Sequence, residues 1–236
     1  MTLKKFNRIA LISVFIGACL LWWFKRAWKT VPGERLAREF LVGKVGVDQI
    51  ETQLEQFREN YRDLYQQRQI PKNRILRVHL NQAILPVLAF YQVLLPINGG
   101  DKQKTIKEIE GVVRAWILNT TRYFLSPLRF FGHPFSIFRP GFEIVMKLFP
   151  DAGFDIDYLE KSEKRIAFNI KVCFYLNTLT RYGIPELTPV FCAADEAMAE
   201  LFPPSIGFER TQTLGRGGEL CDFRYCYMEK NKNTLV

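Results

Sequence analysis

The hydrophobic period of this chain changes at about Asp151, and that change limits what it can fold into. Before it, apolar residues recur in steps of three and four, one face of a helix; after it they alternate, one face of a strand. Val47, Ile50, Leu54, Phe57, Tyr61 and Leu64 make a helical seam, with Asp48 and Glu51 expected as a capping pair. Shorter than three heptads, it is expected to dock on its own domain rather than dimerise. A second helix is expected over Asn73 to Leu95; its "AILPVLAFYQVLL" is apolar all round and therefore buried. Asn81, Gln82, Gln92 and Pro86 speak against a membrane span there. Thr105 and Glu108 are expected to cap a third helix, with Ile109, Val112, Trp116 and Tyr123 on one face. "SPLRFFGHPFSIFRPGF" reads as an aromatic-rich loop ended by Pro140 and Gly141, with a short helix from Phe142 to Phe149 after it.

Beyond Asp151, "RIAFNIKVCFY" alternates, with Ile166, Phe168, Ile170 and Val172 against Asn169, Lys171 and Cys173. Helices are expected at Tyr175–Tyr182 and Glu186–Leu201, parted by "GIP". "GFERTQTL", a "GRGG" turn and "ELCDFRYCYM" form a hairpin, glycine supplying the permissive backbone. The fold class is α+β: an N-terminal membrane helix, a helical layer, then a small antiparallel sheet with interspersed helices.

The membrane helix rests on "IALISVFIGACLLWWF", Ile9 to Phe24, sixteen residues without a charge. It spans roughly 24 Å, and flanking Lys4, Lys5, Arg8, Lys25 and Arg26 can snorkel to reach across a ~30 Å core. A cleaved signal peptide is the alternative, but the run ends in Trp22 and Trp23 without a small-x-small site. The expectation is a single-pass anchor with basic flank over 1–32 and one α+β domain over 33–236, helical to 150 and sheet-containing over 151–230. Basic residues after the run tilt that domain to the cytoplasmic side.

Charge narrows the partners. Residues 151–236 carry a net −3 and leave +12 to the front of a chain whose total is +9. A basic front suits an anionic membrane surface, and an acidic back argues against nucleic acid as the ligand. Arg129 and Arg139 bracket phenylalanines, an echo of base-stacking surfaces, but those rings read better as core or as the lining of an apolar pocket. Oligomeric state is left open.

Five cysteines are too few for a disulfide scaffold, so reduced thiols are expected. Strand periodicity puts Cys221 with Phe223, Tyr225 and Tyr227, and turns Cys226 to the other face with Asp222 and Arg224. Cys192 and Asp195, three apart, share a helix face with Glu196. A thiol beside a carboxylate suits a nucleophile with its base, or two ligands of a divalent metal; it also suits plain core packing. Activation of the thiol needs a cation, with Lys171, Arg210 and Arg224 as candidates. Two histidines, no CxxC or HxxxH spacing and no nucleotide-binding glycine motif leave little else.

Taken as a set, Cys173 ending a strand, "PELTPVFCAADEAMAE" and "FERTQTLGRGGELCDFRY" resemble the L-2-amino-thiazoline-4-carboxylic acid hydrolase family of bacteria. The resemblance is strongest over about 150–228 and extends in general layout to the helices at about 73–124. It implies hydrolysis of a small cyclic amidine on a route to L-cysteine. Such chemistry needs a nucleophile or activated water, a proton donor and a cation for the substrate carboxylate. Cys192 or Cys221 is the candidate for attack or metal ligation, and Asp195 for proton transfer. Arg210 or Arg224 would hold the carboxylate, with Thr211 and Cys173 lining the substrate. The alternatives are a ligand- or metal-binding sensory module and a tethered scaffold.

Overall fold

The computed structural model describes residues 31–229, so the expected anchor at 9–24 lies outside the described residues. The chain divides at Val112 and Val113 into two compact units, each with its own core.

The first unit is helical: α1 Glu34–Val42, α2 Val47–Gln67, α3 Arg74–Ile97 and the start of α4 Lys102–Leu125. The α2 seam docks within its own unit, as its brevity predicts: Ile50, Leu54 and Phe57 are buried, and Phe57 meets Phe90 of α3 edge-on at 6.2 Å. Asn73 caps α3 through its side chain, which accepts from the Ile75 and Leu76 amides at 2.8 and 3.3 Å. The helix widens into a π turn over Leu80–Ile84. Pro86 has no N–H for the Gln82 carbonyl, and a wider turn relieves its ring of that clash. By length and composition α3 is apolar enough to cross a membrane, yet most of that apolar surface is buried inside the protein.

Two expected caps are different in the structure. Gly46 precedes α2 without a side-chain cap, and Glu51 accepts instead from Arg38 at 2.5 Å. Asp101 caps α4 by accepting from the Lys104 amide at 2.9 Å. Thr105 is fully buried and donates to the Asp101 carbonyl, and Glu108 accepts from Lys44 at 2.6 Å and Asn98 at 2.9 Å. In both helices a long-range cation took the carboxylate that local spacing assigned to the cap.

The second unit is built on an antiparallel sheet in the order β1-β2-β4-β3: β1 Phe154–Lys161, β2 Arg165–Cys173, β3 Ile206–Glu209 and β4 Cys221–Tyr227. In the β2–β4 ladder Ile166, Phe168 and Ile170 oppose Tyr225, Phe223 and Cys221, so these six side chains share one face. Phe168 and Phe223 stack at 4.9 Å. Helix α5, Pro134–Met146, covers them, with Phe138 at 5.3 Å and Phe142 at 5.1 Å from the Tyr225 ring. The expected aromatic loop is thus largely helix. Ser126–Phe130 is a 3-10 turn, and α5 starts eight residues before Phe142 and runs through Pro140. Sheet burial of Phe135 and Phe138 outweighs the cost of an internal proline.

Helices α6, Phe174–Arg181, and α7, Thr188–Ala199, lie between the strands as expected. The hairpin forms, but its connection is long. "GRGG" is no two-residue turn: Leu214–Arg216 makes a 3-10 turn whose N-cap Thr213 accepts from the Arg216 amide, and Gly217 follows at φ 85°.

Candidate functional site

That long connection starts at Arg210, whose side chain is only 2% exposed. Its Nη1 donates to Asp195 Oδ2 at 2.8 Å; its Nη2 donates to Glu196 Oε1 at 2.7 Å and to the Cys192 carbonyl at 3.0 Å. The guanidinium also lies 5.1 Å from the Phe223 ring centre, so the aromatic face of the sheet is its floor. One rigid fork reads three acceptors along one side of α7. Lysine could not.

Asp222 fixes the same connection from the opposite side. Its carboxylate accepts from the Thr211 amide at 2.9 Å, the Gln212 amide at 2.8 Å and the Thr211 hydroxyl at 2.6 Å. Burial works against its charge, but these donors, the Thr211 hydroxyl first, outweigh it and hold its pKa low.

Electrostatics separate the two carboxylates of α7. Burial pushes Asp195 up to about 6, although Arg210 pulls the other way, and 33% of its side chain is still open to solvent. Glu196 is held low, chiefly by Arg216, whose Nη1 and Nη2 donate to its two oxygens at 2.6 and 3.1 Å. Asp195 is therefore a reachable carboxylate that changes charge just below neutral pH, beside one that stays ionised.

Burial governs the thiols. Asp195 and Cys192 both disfavour ionisation of Cys173, and Cys192 and Cys173 disfavour that of Cys221. Burial is the larger cause in each case, raising Cys173 to about 11 and Cys221 to about 12, and it raises Cys192 as well. Cys173 ends β2 at the start of α6, where the Leu176 and Tyr175 amides only partly offset burial. Cys221 Sγ accepts from the Leu214 amide at 3.3 Å. Tyr175 and Tyr225, both raised by burial, also feel the Asp195 charge.

All of these residues fall within the stretch, 79–225, that matches the model of the L-2-amino-thiazoline-4-carboxylic acid hydrolase family. The chain belongs to that family. No curated protein matches it. Among solved structures it is similar to the Fe(II) unliganded H-NOX protein from K. algicida, at 14% identity and a TM-score of 0.36, over 86% of this chain and 98% of that one. It is also similar to an H-NOX structure that probes heme distortion, at 14% identity and a TM-score of 0.29, over 77% of this chain and 98% of that one. Neither likeness is high enough to inform the chemistry.

Arg210 joins Asp195, Glu196 and the Cys192 carbonyl, and the Leu214–Gly215 segment lies against both Cys221 and Cys192; other candidates lie elsewhere. Arg224 is on the opposite face of β4, where it donates to the Phe168 carbonyl at 2.8 Å and Asn169 Oδ1 at 2.9 Å. The Thr211 hydroxyl serves Asp222, and Lys171 pairs with Asp157 at 2.9 Å. Cys226 opposes Arg165 and Gly207 on the far face, and the four cysteines among the described residues are all free. No three His, Cys, Asp or Glu side chains among the described residues form a group able to hold a metal ion. Arg216 lies between glycines that read as a turn, and strand periodicity placed Asp222 only on the face of Cys226 and Arg224, so neither role is visible in the sequence.

Gly215 keeps the connection pressed on α7. A Cβ there would lie 2.8 Å from both Cys192 Sγ and Thr188 Cγ2. Gly215→Ala should destabilise by about 1–3 kcal/mol through this overpacking, read from the urea midpoint.

Proposed function

We propose that this chain hydrolyses a small cyclic amidine carboxylate of the thiazoline type, with Asp195 as the proton-transfer group. The observation that carries the reading is one carboxylate, reachable from solvent, whose pKa burial raises to about 6 while buried Arg210 holds it in place. Ionised Asp195 takes a proton from water as its oxygen bonds to the ring carbon between nitrogen and sulfur. Asp195 returns that proton to the ring nitrogen, giving a neutral tetrahedral adduct. It then relays the adduct's hydroxyl proton to the same nitrogen as the carbonyl forms and the ring C–N bond breaks, so the nitrogen leaves as a primary amine. One water is consumed, both of its protons end on that nitrogen, and Asp195 is left ionised as it began.

Arg210 acts in this scheme as a positioning residue, because its donors are already directed at Asp195, Glu196 and the Cys192 carbonyl. Arg216, 46% exposed beside Glu196, is better placed to meet the substrate carboxylate at the rim. The thiols enter as neutral groups. Burial pushes Cys221 up to about 12, so it stays a neutral thiol at pH 7. The apolar run at 9–24 would tether this domain to a membrane, with the cytoplasmic side favoured by the basic residues that follow it.

The test is incubation of the full-length protein with 2-amino-thiazoline-4-carboxylate, with mass spectrometry for the gain of one water and detection of the new primary amine. Ring opening that follows protein concentration supports the reading. Saturable binding without ring opening would instead establish the non-catalytic ligand-binding module, which a cluster of neutral thiols also suits.

A further inference from the structure

Between Glu110 and Glu143 the chain has no acidic residue, while Arg114, Arg122, Arg129 and Arg139 all fall there. Within this stretch Tyr123 is 79% exposed, Phe130 83% exposed, and Phe131 is exposed as well. Rings this open, set among arginines, are unusual on a surface that faces only water. The segment that carries them is firmly seated. Leu128 and Pro134 are buried, the Phe131 amide donates to the Leu128 carbonyl at 3.2 Å, and His133 packs on Tyr227 at 5.6 Å. Phe135 and Phe138 of α5 reach the sheet core, so the rings before them are held outward. Arg122 and Arg129, the chain neighbours of Tyr123 and Phe130, are exposed too, with Arg129 Nε fixed on the Ser126 carbonyl at 3.0 Å.

We propose that Tyr123, Phe130 and Phe131, together with Arg122 and Arg129, dock on the headgroup layer of an anionic phospholipid membrane. Aromatic rings partition to that layer because one part of it is apolar and the other wet. Arginines beside them meet lipid phosphates, and the absence of carboxylates over the stretch removes the competing repulsion. Single-stranded nucleic acid also takes arginine and aromatic rings. Lipid is favoured because the same chain carries the uncharged run Ile9–Phe24, flanked by basic residues.

Hydrogen exchange of the full-length protein tests this, with vesicles of equal parts phosphatidylglycerol and phosphatidylcholine against phosphatidylcholine alone. Exchange over residues 122–133 should slow by about fivefold or more on the anionic vesicles, and high salt should reverse it. Phe130→Ser with Phe131→Ser should remove the protection and leave the rest of the exchange pattern unchanged. Arg122→Glu with Arg129→Glu should abolish the difference between the two vesicle types. Unchanged exchange on anionic vesicles would overturn the proposal. So would protection that follows protein concentration without lipid, the mark of a second copy, or protection by an oligonucleotide but not by vesicles.

Discussion

Replacing Arg210 by methionine is expected to lower the stability of the domain by about 3 kcal/mol, read as a fall in the urea midpoint. Methionine fills much of the volume but gives nothing to Asp195, Glu196 or the Cys192 carbonyl, the three acceptors that Arg210 now satisfies. Breaking a buried pair usually costs about 3–5 kcal/mol, and the lower end applies because Asp195 and Glu196 stay 33% and 37% exposed. Arg210→Lys should recover only part of the loss, since one ammonium cannot meet all three acceptors. The deficit has a pH sign. Arg210 now pulls the Asp195 pKa down against burial, so its removal lifts that pKa further. A carboxyl whose folded pKa lies above its unfolded value favours folding in its protonated form. The deficit should therefore be smallest near pH 4 and grow as pH rises through the folded pKa.

Asp195→Asn should leave the fold largely intact and reduce kcat/KM for ring opening by about 10²- to 10⁴-fold. The asparagine oxygen can still accept from Arg210 Nη1, so the fork that orders α7 and the connection keeps its partner. What is lost is the ability to take a proton. Cys192→Ala gives the contrast: with burial holding that thiol neutral, its removal should change packing around Gly215 and leave most of the turnover. Loss in Cys192→Ala with turnover kept in Asp195→Asn would show that the thiol, and not the carboxylate, carries the chemistry.

The sequence made part of this arrangement readable. Alternation in 166–170 and 221–227 placed the central strands and predicted that Cys221 and Cys226 face apart, because period two leaves no other choice; Val172, expected on the face of Ile170, is exposed where the β1–β2 register shifts. Helical spacing placed Cys192, Asp195 and Glu196 together on α7. Strand β1 went unseen, although Phe154, Ile156 and Tyr158 alternate, because carboxylates fill the positions between them. It forms at a sheet edge, where one side of each residue stays wet. The role of Arg210 was also hidden. Nothing in its neighbourhood along the chain tells it from Arg224; the difference arises when β4 buries one face against α5 and turns the other outward. The capping pairs failed for a related reason, since Lys44 and Arg38 are distant in sequence from the glutamates they hold.

The pH dependence of kcat/KM for the full-length protein on 2-amino-thiazoline-4-carboxylate tests the central claim most directly. With Asp195 as the base, activity should rise with pH through a midpoint near 6 and level off above pH 7. A profile that stays low near neutrality and climbs only towards the Cys173 and Cys221 values of about 11 and 12 would contradict it, and would assign the reaction to a thiolate.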